Sequence, residues 1–335
     1  MQRPHRRPAL RLTALAAGVA LVATACWIPF DYGYGKGADI SWIISEGYGG
    51  TVTWYVQGQA APIFSVDETT GGSPIPGDWD DDGRTEPALS DFPGVVADGV
   101  TLTFPPQPPA VLPVGACGPS LAEVPGAWDG ARGTEMGWFQ HGAAEWQVEG
   151  QAPFVFGRPS TDADRCALYG TSDVPVPADY DGDGRTEAAV YQPDSGDWLV
   201  RGQPGVFANL GIGVGLPAPA DYDGDGTDDP ALFLQRTRTL HIEGMAPVAF
   251  PLSAYGDFGY PVPADYDGDG TDDPALFNHD NDDAAEGWQI LGRPEVAVPG
   301  GAWPTVIRPW LVEHIIGLSY AEDVCSSAEP DPLCP

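Results

Sequence analysis

Carboxylates recur along this chain at alternate positions of a short glycine-rich loop. In Asp179-Tyr180-Asp181-Gly182-Asp183-Gly184-Arg185-Thr186-Glu187 the acids fall at positions 1, 3, 5 and 9. Three further stretches repeat the pattern: Asp78, Asp80, Asp82 and Glu86; Asp221, Asp223, Asp225 and Asp229; Asp265, Asp267, Asp269 and Asp273. The interleaved glycines allow the tight turn that aims alternate oxygens inward. Carboxylates converging on one point repel one another strongly unless a cation lies among them. Calcium takes roughly six to eight oxygens, and the carbonyl of position 7 (Arg84, Arg185, Thr227 or Thr271) with water would complete its shell. Magnesium demands stricter octahedral geometry. No His or Cys lies in these loops, which argues against zinc. The spacing therefore predicts about four bound Ca2+ ions. These are not EF-hand loops, because position 12 holds Leu89, Val190, Leu232 or Leu276 instead of a ligating Glu. The alternative is an acidic turn that is merely solvated.

Each loop sits inside a longer repeat that must position it. PVPADYDGDGRTEAAVY begins at Pro175, PAPADYDGDGTDDPALF at Pro217, PVPADYDGDGTDDPALF at Pro261 and PIPGDWDDDGRTEPALS at Pro74. Two eroded copies begin at Ile28 and Pro125, keeping only Asp31 and Asp39, or Asp129 and Glu135, of the acids. The last acids, Asp39, Glu86, Glu135, Glu187, Asp229 and Asp273, recur with a period of roughly 40 to 50 residues, the length of a four-stranded propeller blade. Two residues beyond them stand the small Ser41, Ala88, Gly137, Ala189, Ala231 and Ala275, each followed by a large apolar residue. Neighbours in a strand face opposite ways, so the small residues are expected where blades crowd together. A third strand carries Trp54, Trp146, Trp198, Leu240 or Trp288, whose recurrence at one position indicates core packing over ligand stacking. Trp303 and Trp310 fall outside the pattern.

The fold class expected is all-β, a β-propeller of six four-stranded blades spanning 26–300, with 301–335 as a closing or packing segment. The apolar stretch 305–316 leaves an eroded seventh blade open. Gly (44 residues) and Pro (36) suit many tight turns, and eleven Trp argue against disorder.

Residues 1–25 join a basic head, Arg3 to Arg11, to a short apolar stretch, and read as a signal peptide. The segment ends in VATAC, which suits ordinary signal peptidase and also resembles a lipobox that would lipidate Cys26. Five cysteines become four if Cys26 carries lipid. The expected disulfides are then Cys117–Cys166, between the long inserts 105–120 and 157–175, and Cys325–Cys334, with other pairings open. The expected location is therefore outside the cell, on the membrane as a lipoprotein or freely secreted. A net charge of −33 disfavours nucleic acid as a partner. Membrane contact is expected only through the lipid anchor.

The string PVPADYDGDGRTEAAVY, with its downstream Gly196-Asp197-Trp198-Leu199-Val200, resembles the FG-GAP/VCBS-type repeat of bacterial surface proteins, related to the calcium-bearing propeller of integrin α-subunits. The resemblance covers residues 28–300 and is strong in the second, fourth, fifth and sixth copies. It implies a propeller with calcium in a strand-to-strand loop and a binding or scaffolding role.

The leading expectation is thus a non-enzymatic, extracellular, calcium-stabilised binding, adhesion or scaffold module of the bacterial envelope, directed at an unidentified protein or glycan. The alternatives are a calcium-dependent lectin or, less readily, a hydrolase or its accessory subunit. His141, His241, His279 and His314 lie in no recognised catalytic motif, and Gly317-Leu318-Ser319 resembles a nucleophile elbow only loosely. No catalytic or cofactor-binding residue is assigned.

Overall fold

A computed structural model describes residues 38–45, 51–67, 73–91, 94–97, 100–103, 121–131, 133–159, 173–210, 215–256, 258–279, 286–298 and 302–304. Every described regular element is a β-strand. The strands form six antiparallel four-stranded sheets arranged as a propeller. Five are blades cut from consecutive chain, numbered here 2 to 6 after their repeats. Blade 4, for example, runs Val174–Pro175, Ala189–Gln192, Asp197–Val200 and Ala208–Asn209, each strand pairing with the next.

The remaining sheet is composite. Ser41–Ser45, Thr51–Val56 and Phe64–Asp67 come from the first repeat, and Ala302–Pro304 from the far end of the chain. This corrects the expectation of six or seven blades: five are blades of consecutive chain, and the remaining sheet takes a strand from the far end of the chain. It also moves part of the 301–335 segment into the ring. Trp42 pairs with Pro304, as Val190 pairs with Pro175, Leu232 with Pro217 and Leu276 with Pro261. Pro304 therefore takes the place of the proline that opens repeats 2, 4, 5 and 6, where repeat 3 has Glu123. Pro is tolerated there because the first strand is an edge and owes no ladder bond on its free side. No seventh sheet is present among the described residues, and 305–316 lies outside them.

The alternation read from the sequence fixes the packing. The third strands of repeats 1, 3, 4 and 5 alternate between half-buried and buried residues, as in Asp197–Val200, whereas Glu286–Ile290 of repeat 6 is buried throughout. Trp54, Trp146, Trp198 and Trp288 are fully buried and Leu240 nearly so. Truncating such a Trp to Ala would cost about 3–5 kcal/mol. Ser41, Ala88, Ala189, Ala231 and Ala275 are buried too. Gly137 shows why this position is small: a Cβ there would lie 2.6 Å from the Val124 carbonyl oxygen. The third strand ends in a turn such as Arg201-Gly202, where Gly202 adopts φ of 94°, a conformation that L side chains resist.

Candidate metal centre

In repeats 2 to 6 the acidic loops join the first and second strands of the blade, on one face. Each loop is pinched at its base by a bridge between the residue before position 1 and position 9: Gly77–Glu86, Gly126–Glu135, Ala178–Glu187, Ala220–Asp229 and Ala264–Asp273. The aromatic residue at position 2 anchors the loop to the strand below. Tyr180, Tyr222 and Tyr266 donate their hydroxyls to the carbonyls of Val176, Ala218 and Val262. Trp79 and Trp128 do the same with their indole N–H groups, to Ile75 and Val124. The sequence reading assigned these aromatics no role. Their fixed offset from a residue four earlier was the available signal.

Within the loop the first carboxylate organises the turn. Asp179 Oδ1 accepts from the Gly182 N–H at 2.7 Å and Oδ2 from the Gly184 N–H at 2.8 Å. Asp221 and Asp265 accept equivalent bonds from Gly224 and Gly226, and from Gly268 and Gly270. Asp183 Oδ1 takes the N–H of Arg185, as Asp82, Asp225 and Asp269 take those of Arg84, Thr227 and Thr271.

These bonds gather the acids. In loop 2, Asp78, Asp80, Asp82 and Glu86 each offer an oxygen, all within 4.8 Å of one another, as do Asp179, Asp181, Asp183 and Glu187 in loop 4. In loops 5 and 6 the gathered sets are Asp221, Asp223 and Asp225, and Asp265, Asp267 and Asp269. Asp229 and Asp273 stand outside them. Each is one methylene shorter than Glu and accepts from the N–H of position 2, Tyr222 or Tyr266. Asp273 also meets Arg293, whose Nη2 lies 3.4 Å from Oδ2. Asp129 and Glu135 of loop 3 belong to no such cluster among the described residues. Asp31 of loop 1 lies outside those residues, as do Cys26, Cys117, Cys166, Cys325, Cys334 and the signal segment.

The electrostatics match crowded carboxylates. Burial, then repulsion from Asp80, Asp78 and Asp82, pushes Glu86 up to about 7 against the N–H bond from Trp79. Glu187 is likewise pushed up to about 7, by burial and by Asp181, Asp179 and Asp183. Burial raises Asp229 to about 6. Such a set of hard oxygens suits a calcium-type cation and offers a soft metal nothing.

Successive loops are also clamped together, which sequence reading missed. The N–H of position 8 donates to the carbonyl of position 1 in the preceding loop: Thr134 to Asp78, Thr186 to Ala127, Asp228 to Asp179, Asp272 to Asp221 and Ala38 to Asp265. The position-8 side chain completes the clamp. Thr134 and Thr186 Oγ1 accept from the N–H groups of Asp78 and Ala127. Asp228 and Asp272 Oδ2 accept from those of Asp179 and Asp221. A second contact lies alongside. Position 4 of one loop abuts position 7 of the next, as Gly130 does Arg185, Gly182 does Thr227 and Gly224 does Thr271. Where position 4 carries a side chain, at Asp81, the next loop has Gly133.

An open cleft of about 260 Å³ lies over this face, lined by Asp179, Arg185, Thr186, Asp221 and Asp228 among others. It falls below the range of ordinary small-molecule pockets, roughly 300–1,000 Å³. The recurring tryptophans are buried, so they present no stacking surface.

No family model, curated protein or solved structure matches the chain.

Proposed function

We propose that this chain is an exported, calcium-stabilised propeller that acts as a non-enzymatic binding, adhesion or scaffold module at the bacterial envelope. The observation that carries the reading is the convergence of carboxylates in loops 2, 4, 5 and 6. Those residues would hold about four calcium ions, whose role is to neutralise the loops and rigidify one face of the ring. Asp78, Asp80, Asp82 and Glu86, with their counterparts in loop 4, would supply the fuller ligand sets. The likeness of the repeat to FG-GAP/VCBS sequences supports the same conclusion. The apolar stretch before Cys26 supports export, with lipidation of Cys26 as the tether.

A propeller of this kind offers a rigid, acidic platform, and the long inserts 105–120 and 157–175, most of which lie outside the described residues, would supply variable contact surface. The test uses residues 27–335 purified in calcium. Metal content is measured after dialysis, and the protein is then screened against immobilised envelope polymers and purified surface proteins, with and without a chelator. About four calcium ions per chain and a calcium-dependent binder are expected. A metal-free chain, or no binder in the whole panel, would contradict the proposal.

A further inference from the structure

Position 8 of the acidic loop alternates in a way that hydrogen bonding does not require. It is Thr85, Thr134 and Thr186 in repeats 2 to 4, Asp228 and Asp272 in repeats 5 and 6, and Ala38 in repeat 1. Thr186 and Asp228 make the same bond to the preceding loop, at 3.0 Å and 2.8 Å, so a neutral hydroxyl is sufficient for the clamp. Aspartate appears only at the junctions 4–5 and 5–6, where the loop on each side carries acids at positions 1, 3, 5 and 9. Thr134 and Thr186 border the eroded loop 3, and Ala38 belongs to the eroded loop 1. Thr85 follows loop 1 as well.

Asp228 and Asp272 are more than nine-tenths buried. Asp272 faces the negative charges of Asp228, Asp221 and Asp265. We propose that Asp228 and Asp272 are positioning residues that couple the cation sites of loops 4, 5 and 6, each carboxylate serving the ions on both of its sides. The proposal rests on the calcium reading above.

The clamp supplies the path. An ion in loop 5 orders Asp221, whose backbone N–H and carbonyl are held by Asp272 of loop 6. The base of the same loop ends at Asp229, beside Asp228, which holds Asp179 of loop 4. Loading one loop therefore pre-orders its neighbours, and the intervening carboxylate offsets the mutual repulsion of adjacent divalent ions. Loop 2 stands apart, since its Asp78 is clamped by the neutral Thr134 of loop 3, which has no carboxylate cluster among the described residues.

The test is titration calorimetry of calcium into the full exported chain after divalent ions are stripped, comparing wild type with Asp228→Thr and Asp272→Thr. Thr keeps the acceptor and removes the charge; Asp272→Asn serves as a second variant should Thr impair folding. Wild type is expected to show a cooperative set of sites with a Hill coefficient above one. The variants are expected to bind that set roughly tenfold more weakly, with the coefficient falling toward one. Their melting temperature without calcium should be unchanged, because the hydroxyl keeps the clamp bond, as Thr134 and Thr186 do. An unaltered isotherm with wild-type stoichiometry overturns the coupling and leaves the calcium reading standing. Equal loss of melting temperature with and without calcium also overturns it, by assigning the residues a merely structural role. Absence of any calcium binding by wild type overturns both.

Discussion

Glu86 and Glu187 close their loops in the same way, each accepting the N–H of an anchored aromatic while facing three other carboxylates. Their ordinary value is 4.5, and the folded loops raise both to about 7. Without a cation, the folded chain between these values holds protons that the unfolded chain has released. Its stability is therefore fullest below the unfolded value and falls as pH rises through the window. Asp229, raised from 3.8 to about 6, adds to the same trend. The ion-stripped protein is thus expected to melt at a lower temperature at pH 8 than at pH 5, with calcium abolishing that decline. Melting curves across this range test it; a melting temperature that climbs with pH in stripped protein would contradict the assignment. Gly137 offers a check on packing. A methyl at this position would press on the Val124 carbonyl oxygen, so Gly137→Ala should cost about 1–3 kcal/mol in urea unfolding.

At the scale of the loop and its neighbours, the clamps make the acidic face a connected ring segment instead of separate turns. Thr186→Val preserves shape but removes the acceptor for the Ala127 N–H. It should cost about 1 kcal/mol or somewhat more by chemical denaturation, and an unchanged midpoint would argue that the clamp is incidental. The carboxylates at positions 1, 3 and 5 were legible because ligand spacing is a local property of the chain. The clamps were not, since Asp179 and Asp228 are 49 residues apart and nothing local pairs them. Asp229 and Asp273 look equivalent to Glu86 and Glu187 in an alignment, yet one missing methylene leaves them outside the gathered sets. The buried Trp54, Trp146, Trp198 and Trp288 followed directly from strand alternation.

At the scale of the whole molecule, the ring is fastened by a short strand. Ala302–Pro304 pairs with Trp42 to Ile44 and brings the first and last described strands into one sheet. Trp303-Pro304 matches the apolar-proline pair that opens other repeats, such as Val174-Pro175. Its acidic loop is missing, so repetition alone did not reveal it. A chain ending at Gly301 should melt well below one ending at Pro304, and equal melting would show that closure does not depend on this strand. Calcium acts on the same ring from its acidic face. A site with a dissociation constant on the order of 10 μM adds about 2.7 kcal/mol of stability at 1 mM calcium. The most direct measurement is thermal unfolding of residues 27–335 in millimolar calcium and again after the ions are stripped, with bound metal counted in both samples. A large fall in melting temperature accompanying the loss of several calcium ions is the expected result. Coincident transitions, with no metal bound in either sample, would contradict the calcium propeller.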